Sequence, residues 1–269
     1  LSVQSQGKSL FGALAAPGLG FAVQFMPAEW KFLPVAGLGL LVGAVILAVV
    51  HRVMGRELTR DELFRGVLRL EQALTTGGGW QDQVGGAVDG VKVSSTEPGL
   101  RPEARIHYVP DDVLDPRANG GVTLLYYTGI TRLAKNILQQ VVGRYLDRDR
   151  AAMATLADIH ALPPRVADAM ARKDAAAFGR CIDAAWRLNK RLDPNSTNDE
   201  VEALLARVAP HVHGAKLLGA GGGGFLLRVC KSPEDAASVR QMLTAEPPNG
   251  RARFFDFSVS REGLVVTVC

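Results

Sequence analysis

Between residues 57 and 76 the apolar positions Leu63, Phe64, Val67, Leu68, Leu70 and Leu74 recur at helical spacing, and Thr59 followed by Glu62 predicts a capping box at the start. Glu71 falls in the last turns of that helix, and the glycines of "TTGGG" release the backbone after it. "GVKVSS", "ARIHYVP" and "GVTLLYYTG" alternate as strands do, with the turn-forming "DDVLDPRANGG" between the last two. After Gly129 the period becomes helical. "ITRLAKNILQQVVGRYL", "AAMATLADIHAL" and "RVADAMARKDAAAFGRCIDAAWRLNKRL" read as three helices broken at Pro163-Pro164, and "NDEVEALLARVAP" as a fourth capped by Thr197 or Asn198. "AKLLGAGGGGFLLRVC" reads as strand, glycine loop, strand. Ser232 and Pro233 open a further helix, and "RARFFDFSVS" with "LVVTVC" suggests a hairpin across "REG". The pattern predicts two α+β units joined near residues 116–128.

The uncharged run at residues 32–50, between Lys31 and His51-Arg52, has the length of a membrane span. Pro34, Gly37, Gly39 and Gly43 crowd its first half, which favours a glycine-rich phosphate loop at Gly37–Gly43 feeding a buried helix. The third glycine of a dinucleotide fingerprint is missing. Of the 269 residues, 47% are hydrophobic and 22% charged, enough for one large or two modest cores. The net charge of +4 comes without a basic-aromatic run, which argues against nucleic acid as main partner and suits a polyphosphate ligand. Cys181, Cys230 and Cys269 lie far apart with no metal or disulfide spacing, so a reducing compartment is expected. The chain begins at Leu1, and we expect it to be truncated at its N-terminus.

Three stretches carry candidate chemistry. In "LEQALTTGGGWQDQVGG", Asp82 sits at the rim of a flexible loop beside Trp80, where a carboxylate can take a hydroxyl proton; a solvated or capping Asp is the plainer alternative. Glu71 can hold Mg²⁺, which takes one or two carboxylates plus phosphate oxygens, or be a surface residue. "KLLGAGGGGF", from Lys216 to Phe225, matches GxGxxG but is followed by a strand. Its density of glycine favours close backbone approach to an anion or tightly packed ligand over a mere turn. Arg132 and Lys135 share a helix face, which is more readily a solvated face than a phosphate site. The polar turn "NKRLDPNSTN" is a candidate border of the substrate site, with a helix end and loop as the plainer reading, and the five histidines lack metal spacing.

"LEQALTTGGGWQDQVGG", "YYTGITRLAKNIL", "NKRLDPNSTNDEVEAL" and "GAKLLGAGGGGFLL" together resemble the GHMP superfamily of sugar kinases, and within it the L-fucokinase branch, including the kinase half of bifunctional fucokinase/fucose-1-phosphate guanylyltransferases. The resemblance runs from about Gly37 to the C-terminus. It implies a partial ribosomal S5 domain 2-like N-terminal domain over residues 1–120, with 1–33 unassigned, and a ferredoxin-like GHMP kinase C-terminal domain over 121–269, the active site lying between them. It further implies an ATP-dependent kinase for the anomeric hydroxyl of a sugar, with ATP and Mg²⁺ as cofactors. Asp82 falls on the family's catalytic base and Glu71 on its metal ligand. Gly37, Gly39, Gly43, Gly219, Gly221, Gly222 and Gly223 fall near nucleotide phosphates, and Trp80, Gln83 and Lys216 near the sugar. A cytoplasmic protein, no membrane, and a fused or neighbouring nucleotidyltransferase are expected with it. The family's phosphate loop carries Thr-Ser-Ser hydroxyls, whereas no Ser or Thr stands between Pro34 and Arg56 here, and the family's first motif has no counterpart. A catalytically inactive relative, or a kinase for a related sugar such as a heptose phosphate, are the alternatives.

Overall fold

The computed structural model describes residues 47–73, 88–96, 105–130, 135–219 and 221–263. Two compact units are present, one of residues 1–108 with 260–269 and one of residues 109–259. Among the described residues no helix is long and apolar enough to cross a membrane, and most of the apolar run at 32–50 lies outside them.

In the first unit helix α1 spans Arg60–Ala73. The expected capping box forms: the Thr59 N–H donates to Glu62 Oε2 at 2.8 Å and the Glu62 N–H to Thr59 Oγ1 at 3.3 Å, so two donors at the helix start find acceptors. Phe64 and Val67 of its apolar stripe are buried. Strands β1 (Val91–Ser95) and β2 (Arg105–Val109) hydrogen-bond as a two-stranded sheet. The Lys92 ammonium caps the loop before β1 by donating to the carbonyls of Val88, Asp89 and Gly90.

The second unit is built on a four-stranded sheet of β3 (Thr123–Tyr127), β4 (Val212–Leu217), β5 (Phe225–Cys230) and β6 (Arg253–Phe255), in the spatial order β4-β5-β3-β6. All three pairings are antiparallel. Helices fall after β3 and after β5, so the chain runs β-α-β-β-α-β, the split arrangement expected of a ferredoxin-like domain, with extra helices in its first crossover. The described strand of "RARFFDFSVS" is only three residues long and pairs with β3; "LVVTVC" lies outside the described residues.

The helices of the crossover are α2 (Lys135–Leu146), α3 (Arg150–His160), α4 (Leu162–Ala171), α5 (Ala175–Leu192) and α6 (Asp199–Val208), and α7 (Pro233–Ala245) follows β5. The long segment from residue 165 to 192, expected to be continuous, is broken between α4 and α5. Lys173 adopts the left-handed φ of 55°, and Asp174 caps α5 by accepting from the Ala177 N–H at 2.8 Å. Apolar period alone passes over such a break. The double proline opens α4, Asn198 rather than Thr197 caps α6, and Ser232 caps α7 with Pro233 in its first turn, where a missing N–H costs nothing.

Cross-strand register sorts the two faces. Leu124, Tyr126, Ala215, Leu217, Leu226 and Cys230 meet Val201 and Leu204 of α6 and Val239 and Leu243 of α7 in the main core. On the other face α5 lies against β4, an approach permitted by glycine on both sides: a Cβ on Gly214 would collide with the Gly179 carbonyl.

Arg228 departs from this apolar plan. It is 0% exposed on the face shared with Leu226 and Cys230, its guanidinium sits 4.9 Å from the centroid of the Tyr126 ring, and none of its three nitrogens finds a hydrogen-bond acceptor. Burial pushes its pKa down to about 10. The cation–π contact offsets part of the desolvation cost. Arg228→Met is therefore expected to raise the unfolding free energy by about 1 kcal/mol or more, seen as a higher urea midpoint at an unchanged slope.

Candidate functional site

Strands β4 and β5 run antiparallel with Leu217 opposite Leu226, and between them residues 218–219 and 221–224 are described. Gly219, Gly221, Gly222, Gly223 and Gly224 have φ of 76°, 97°, 78°, 152° and 90°. L-residues with a side chain avoid this half of backbone space, so the glycine run is a conformational requirement. A second requirement is space. A Cβ on Gly221 would collide with the Ser196 carbonyl, and one on Gly223 with the Ile130 carbonyl. The expected close backbone approach is present, and the partner is the protein's own main chain.

These contacts sort the amide groups of the hairpin. The Gly222 N–H donates to Ser196 O, and the Gly224 N–H to Ile130 O at 3.0 Å. The Gly224 carbonyl accepts from both the N–H and the hydroxyl of Thr128, each at 2.9 Å. The Gly222 carbonyl accepts from Asn198 Nδ2 at 3.2 Å. Among the described residues the N–H groups of Gly219, Gly221 and Gly223 have no acceptor. Successive positive-φ residues with free amides suit an anion.

The flanking segments are themselves tied down. Asp193, buried at the end of α5, accepts from the Asn195 N–H at 2.9 Å and Asn195 Nδ2 at 3.0 Å, which closes the turn 193–196. Its Oδ2 and the Ser196 hydroxyl are buried without a partner. Glu202 of α6 accepts from Thr197 Oγ1 at 2.7 Å and Lys190 Nζ at 2.9 Å. Burial alone would raise the Glu202 carboxyl; the Thr197 hydroxyl and the Lys190 ammonium outweigh it and hold the pKa below its ordinary value. On the opposite side Asn249 Nδ2 donates to Thr128 O at 2.8 Å.

Lys216 stands at the base of the hairpin on the face that α5 covers. Its Nζ donates to Leu217 O at 2.9 Å. With the Asn189 amide turned so that its nitrogen donates to Ala185 O at 3.2 Å, the Asn189 oxygen accepts from Lys216 Nζ at 3.3 Å. Burial lowers the pKa of the ammonium, and no carboxylate among the described residues pairs with it.

Of the residues singled out from sequence, Gly219, Gly221, Gly222, Gly223 and Lys216 thus share one end of the sheet. The Gly222 N–H is already engaged by the protein. Glu71 lies in α1, its side chain outside the description. Gly37, Gly39, Gly43, Trp80, Asp82, Gln83 and Arg132 lie outside the described residues, and with them the expected meeting of Glu71 and Asp82. Among the described residues no group of three or more His, Cys, Asp or Glu can hold a metal, and His211 is occupied by Asp235 at 2.7 Å. Thr128 and Ser196 fall within stretches singled out from sequence but without a role of their own, and Asn198 reads there as a helix cap and as the end of a polar turn that could border the substrate. The turn holding the last two, read as a helix end and loop, packs directly on the hairpin.

Residues 166–249 match the family described as GHMP kinases C terminal. The chain is 36% identical over 234 residues to the L-fucokinase/L-fucose-1-P guanylyltransferase of Bacteroides fragilis, a match covering 86% of this chain and 25% of that protein. It is 36% identical over 214 residues to the bifunctional fucokinase/GDP-fucose pyrophosphorylase of Arabidopsis thaliana, covering 77% of this chain and 20% of that one. The chain therefore spans a quarter or less of the length of these relatives. Among solved structures, galactokinase from Lactococcus lactis in complex with galactose aligns with a TM-score of 0.61 at 16% identity, over 88% of this chain and 68% of that one, a likeness of fold.

Space and φ separate two hairpin substitutions. Gly219→Ala meets no atom and carries only the left-handed penalty, about 1–2 kcal/mol. Gly221→Ala adds the collision with Ser196 and is expected to cost roughly 1–3 kcal/mol more. Urea unfolding of both variants checks the order; equal losses would mean the hairpin does not press on the turn at 196.

Proposed function

We propose, from the premise that residues 166–249 form a GHMP kinase C-terminal domain, that this protein is an ATP-dependent sugar kinase acting on the anomeric hydroxyl of L-fucose. The observation that carries the reading is the glycine hairpin between β4 and β5, tied down at Gly222 and Gly224 and with the N–H groups of Gly219, Gly221 and Gly223 lacking an acceptor among the described residues. Those groups at Gly219, Gly221 and Gly223 are proposed to receive nucleotide phosphate oxygens, with Gly222 shaping the turn. The choice of L-fucose rests on the named activity of the Bacteroides and Arabidopsis relatives.

Asp82 is assigned the proton of the sugar hydroxyl. The oxygen then attacks the γ-phosphorus, its bond to the β-γ bridging oxygen breaks, and ADP leaves. Glu71 with phosphate oxygens is the hard-oxygen donor set that would hold Mg²⁺, and the ion would supply charge neutralisation. Gly37, Gly39 and Gly43 are proposed as further phosphate contacts, and Trp80 and Gln83 as sugar contacts. Lys216 is assigned to a ligand oxygen, because its ammonium has only neutral acceptors among the described residues.

That same Lys216 environment favours a second reading, in which the acceptor is a sugar phosphate such as a heptose phosphate and the ammonium meets its phosphate group. A fused or neighbouring nucleotidyltransferase that consumes the sugar 1-phosphate is proposed with it, supported by the double names of the relatives. A cytoplasmic setting fits ATP as donor.

Turnover is read by coupled ADP release with L-fucose and MgATP. Asp82→Asn is expected to lower kcat by about 10²–10⁴-fold with an unchanged melting temperature. Unchanged turnover in the variant rejects Asp82 as base. Turnover with heptose 7-phosphate and not with L-fucose selects the second reading, and the absence of heat on titrating MgATP into the protein rejects kinase activity altogether.

A further inference from the structure

The hairpin is held by two side chains to which neither the family match nor the relatives assign a role. Thr128 is fully buried at the end of β3. Its hydroxyl donates to the Gly224 carbonyl at 2.9 Å and accepts from the Ile130 N–H at 3.3 Å, which fixes residues 128–130 in the shape that presents Ile130 O to the Gly224 N–H. Asn198 works from the opposite side with both ends of its amide. Oδ1 accepts from the Val201 N–H at 2.9 Å as the cap of α6, and Nδ2 donates to Gly222 O at 3.2 Å. The adjacent Ser196 carbonyl takes the Gly222 N–H. Each clasp pairs one side chain with one main-chain carbonyl, and each engages both the N–H and the carbonyl of a single glycine.

We propose that Thr128 and Asn198 are positioning residues that lock Gly224 and Gly222, and thereby fix the N–H groups of Gly221 and Gly223, which have no acceptor among the described residues, as a preorganised receptor for nucleotide phosphate. The phosphate half of this statement rests on the kinase reading above; the locking half does not. A chain of positive-φ glycines has the largest conformational freedom of any backbone and would otherwise have to be ordered by the ligand. The clasps move that ordering into folding. The glycines they engage alternate with the ones they leave free, so that fixing Gly222 and Gly224 constrains Gly223 from both sides and Gly221 from its C-terminal side. Neither Thr128 nor Asn198 needs to touch the ligand.

Two substitutions separate clasp from fold. Thr128→Val keeps the shape of the buried side chain and removes its hydroxyl, and Thr128→Ser restores the hydroxyl. Asn198→Asp keeps an oxygen acceptor for the helix cap, a role Asp fills as well as Asn, and removes the amide donor to Gly222. In amide hydrogen exchange on the full chain, Thr128→Val is expected to speed exchange at Gly224, and Asn198→Asp at Gly222, by roughly tenfold, while β5 keeps its protection and the melting temperature holds. Calorimetry with MgADP is expected to show Kd raised by roughly tenfold in both variants, with Thr128→Ser close to the parent protein. Unchanged exchange at these two glycines overturns the proposal, as does faster exchange throughout β5 with a lowered melting temperature, which would make both residues merely structural. Faster hairpin exchange with unchanged MgADP affinity overturns the link to phosphate. If the parent protein itself binds no MgADP, the kinase reading fails and takes the phosphate half with it, while the exchange result still decides the lock.

Discussion

Strand β5 is paired along both edges and covered on both faces, and this double enclosure is the constraint that organises the second unit. With β4 on one side and β3 on the other, its backbone groups are satisfied within the sheet. Its side chains then have to be buried above and below: Leu226 and Cys230 join the core with α6 and α7, Leu227 and Val229 are buried on the other face, and α5 lies against the neighbouring β4. A strand so enclosed has one place to leave the sheet, its ends, and the glycine hairpin is the way in. The hairpin's geometry is thus inherited from the most fixed part of the unit.

That origin explains why the turn between β4 and β5 can be so rich in glycine without being loose. Glycine removes the side chains that would keep main chains apart, so the turn settles against the carbonyls of Ser196 and Ile130 and gives up two of its N–H groups to them. Freedom that would count against order in an open loop is here what allows close contact. Asp193 and Glu202 contribute at one remove, by closing the turn on which the hairpin rests and tying it to α5 and α6.

Local signals in the sequence were legible where the physics is local. Thr59 with Glu62, Ser232 with Pro233, and the strand–glycine–strand pattern at 212–230 all describe interactions within a few residues, and each formed as expected. The break at Lys173 was hidden because apolar spacing continues across it, although Asp174 is a cap residue that could have announced it. Pairing of β6 with β3 joins residues more than a hundred positions apart, and period carries no record of that. The same holds for the candidate site. Its glycines were readable from their density, whereas Thr128 and Ser196 reach them only through the fold. Arg228 is the reverse case, a residue that every local rule would place in solvent and that the sheet encloses over Tyr126.

The distribution of hydroxyl groups bears on how phosphate would be held. From Pro34 to Arg56 the chain has no Ser or Thr, so side-chain oxygens there cannot contribute to binding a nucleotide or its metal. Backbone N–H groups are indifferent to that loss, because a glycine presents one as well as a serine does and lets the ligand come closer. A site that depends on main-chain donors places its specificity in shape, and shape must then be maintained by residues outside the ligand's reach. In the second unit the hydroxyl and amide groups near the hairpin face inward: Thr128 and Asn198 hold its carbonyls, Thr197 and Asn195 brace its support, and Asn249 secures Thr128. The polar side chains build the hairpin's frame, and on the phosphate reading the contacts to phosphate there would fall to the backbone.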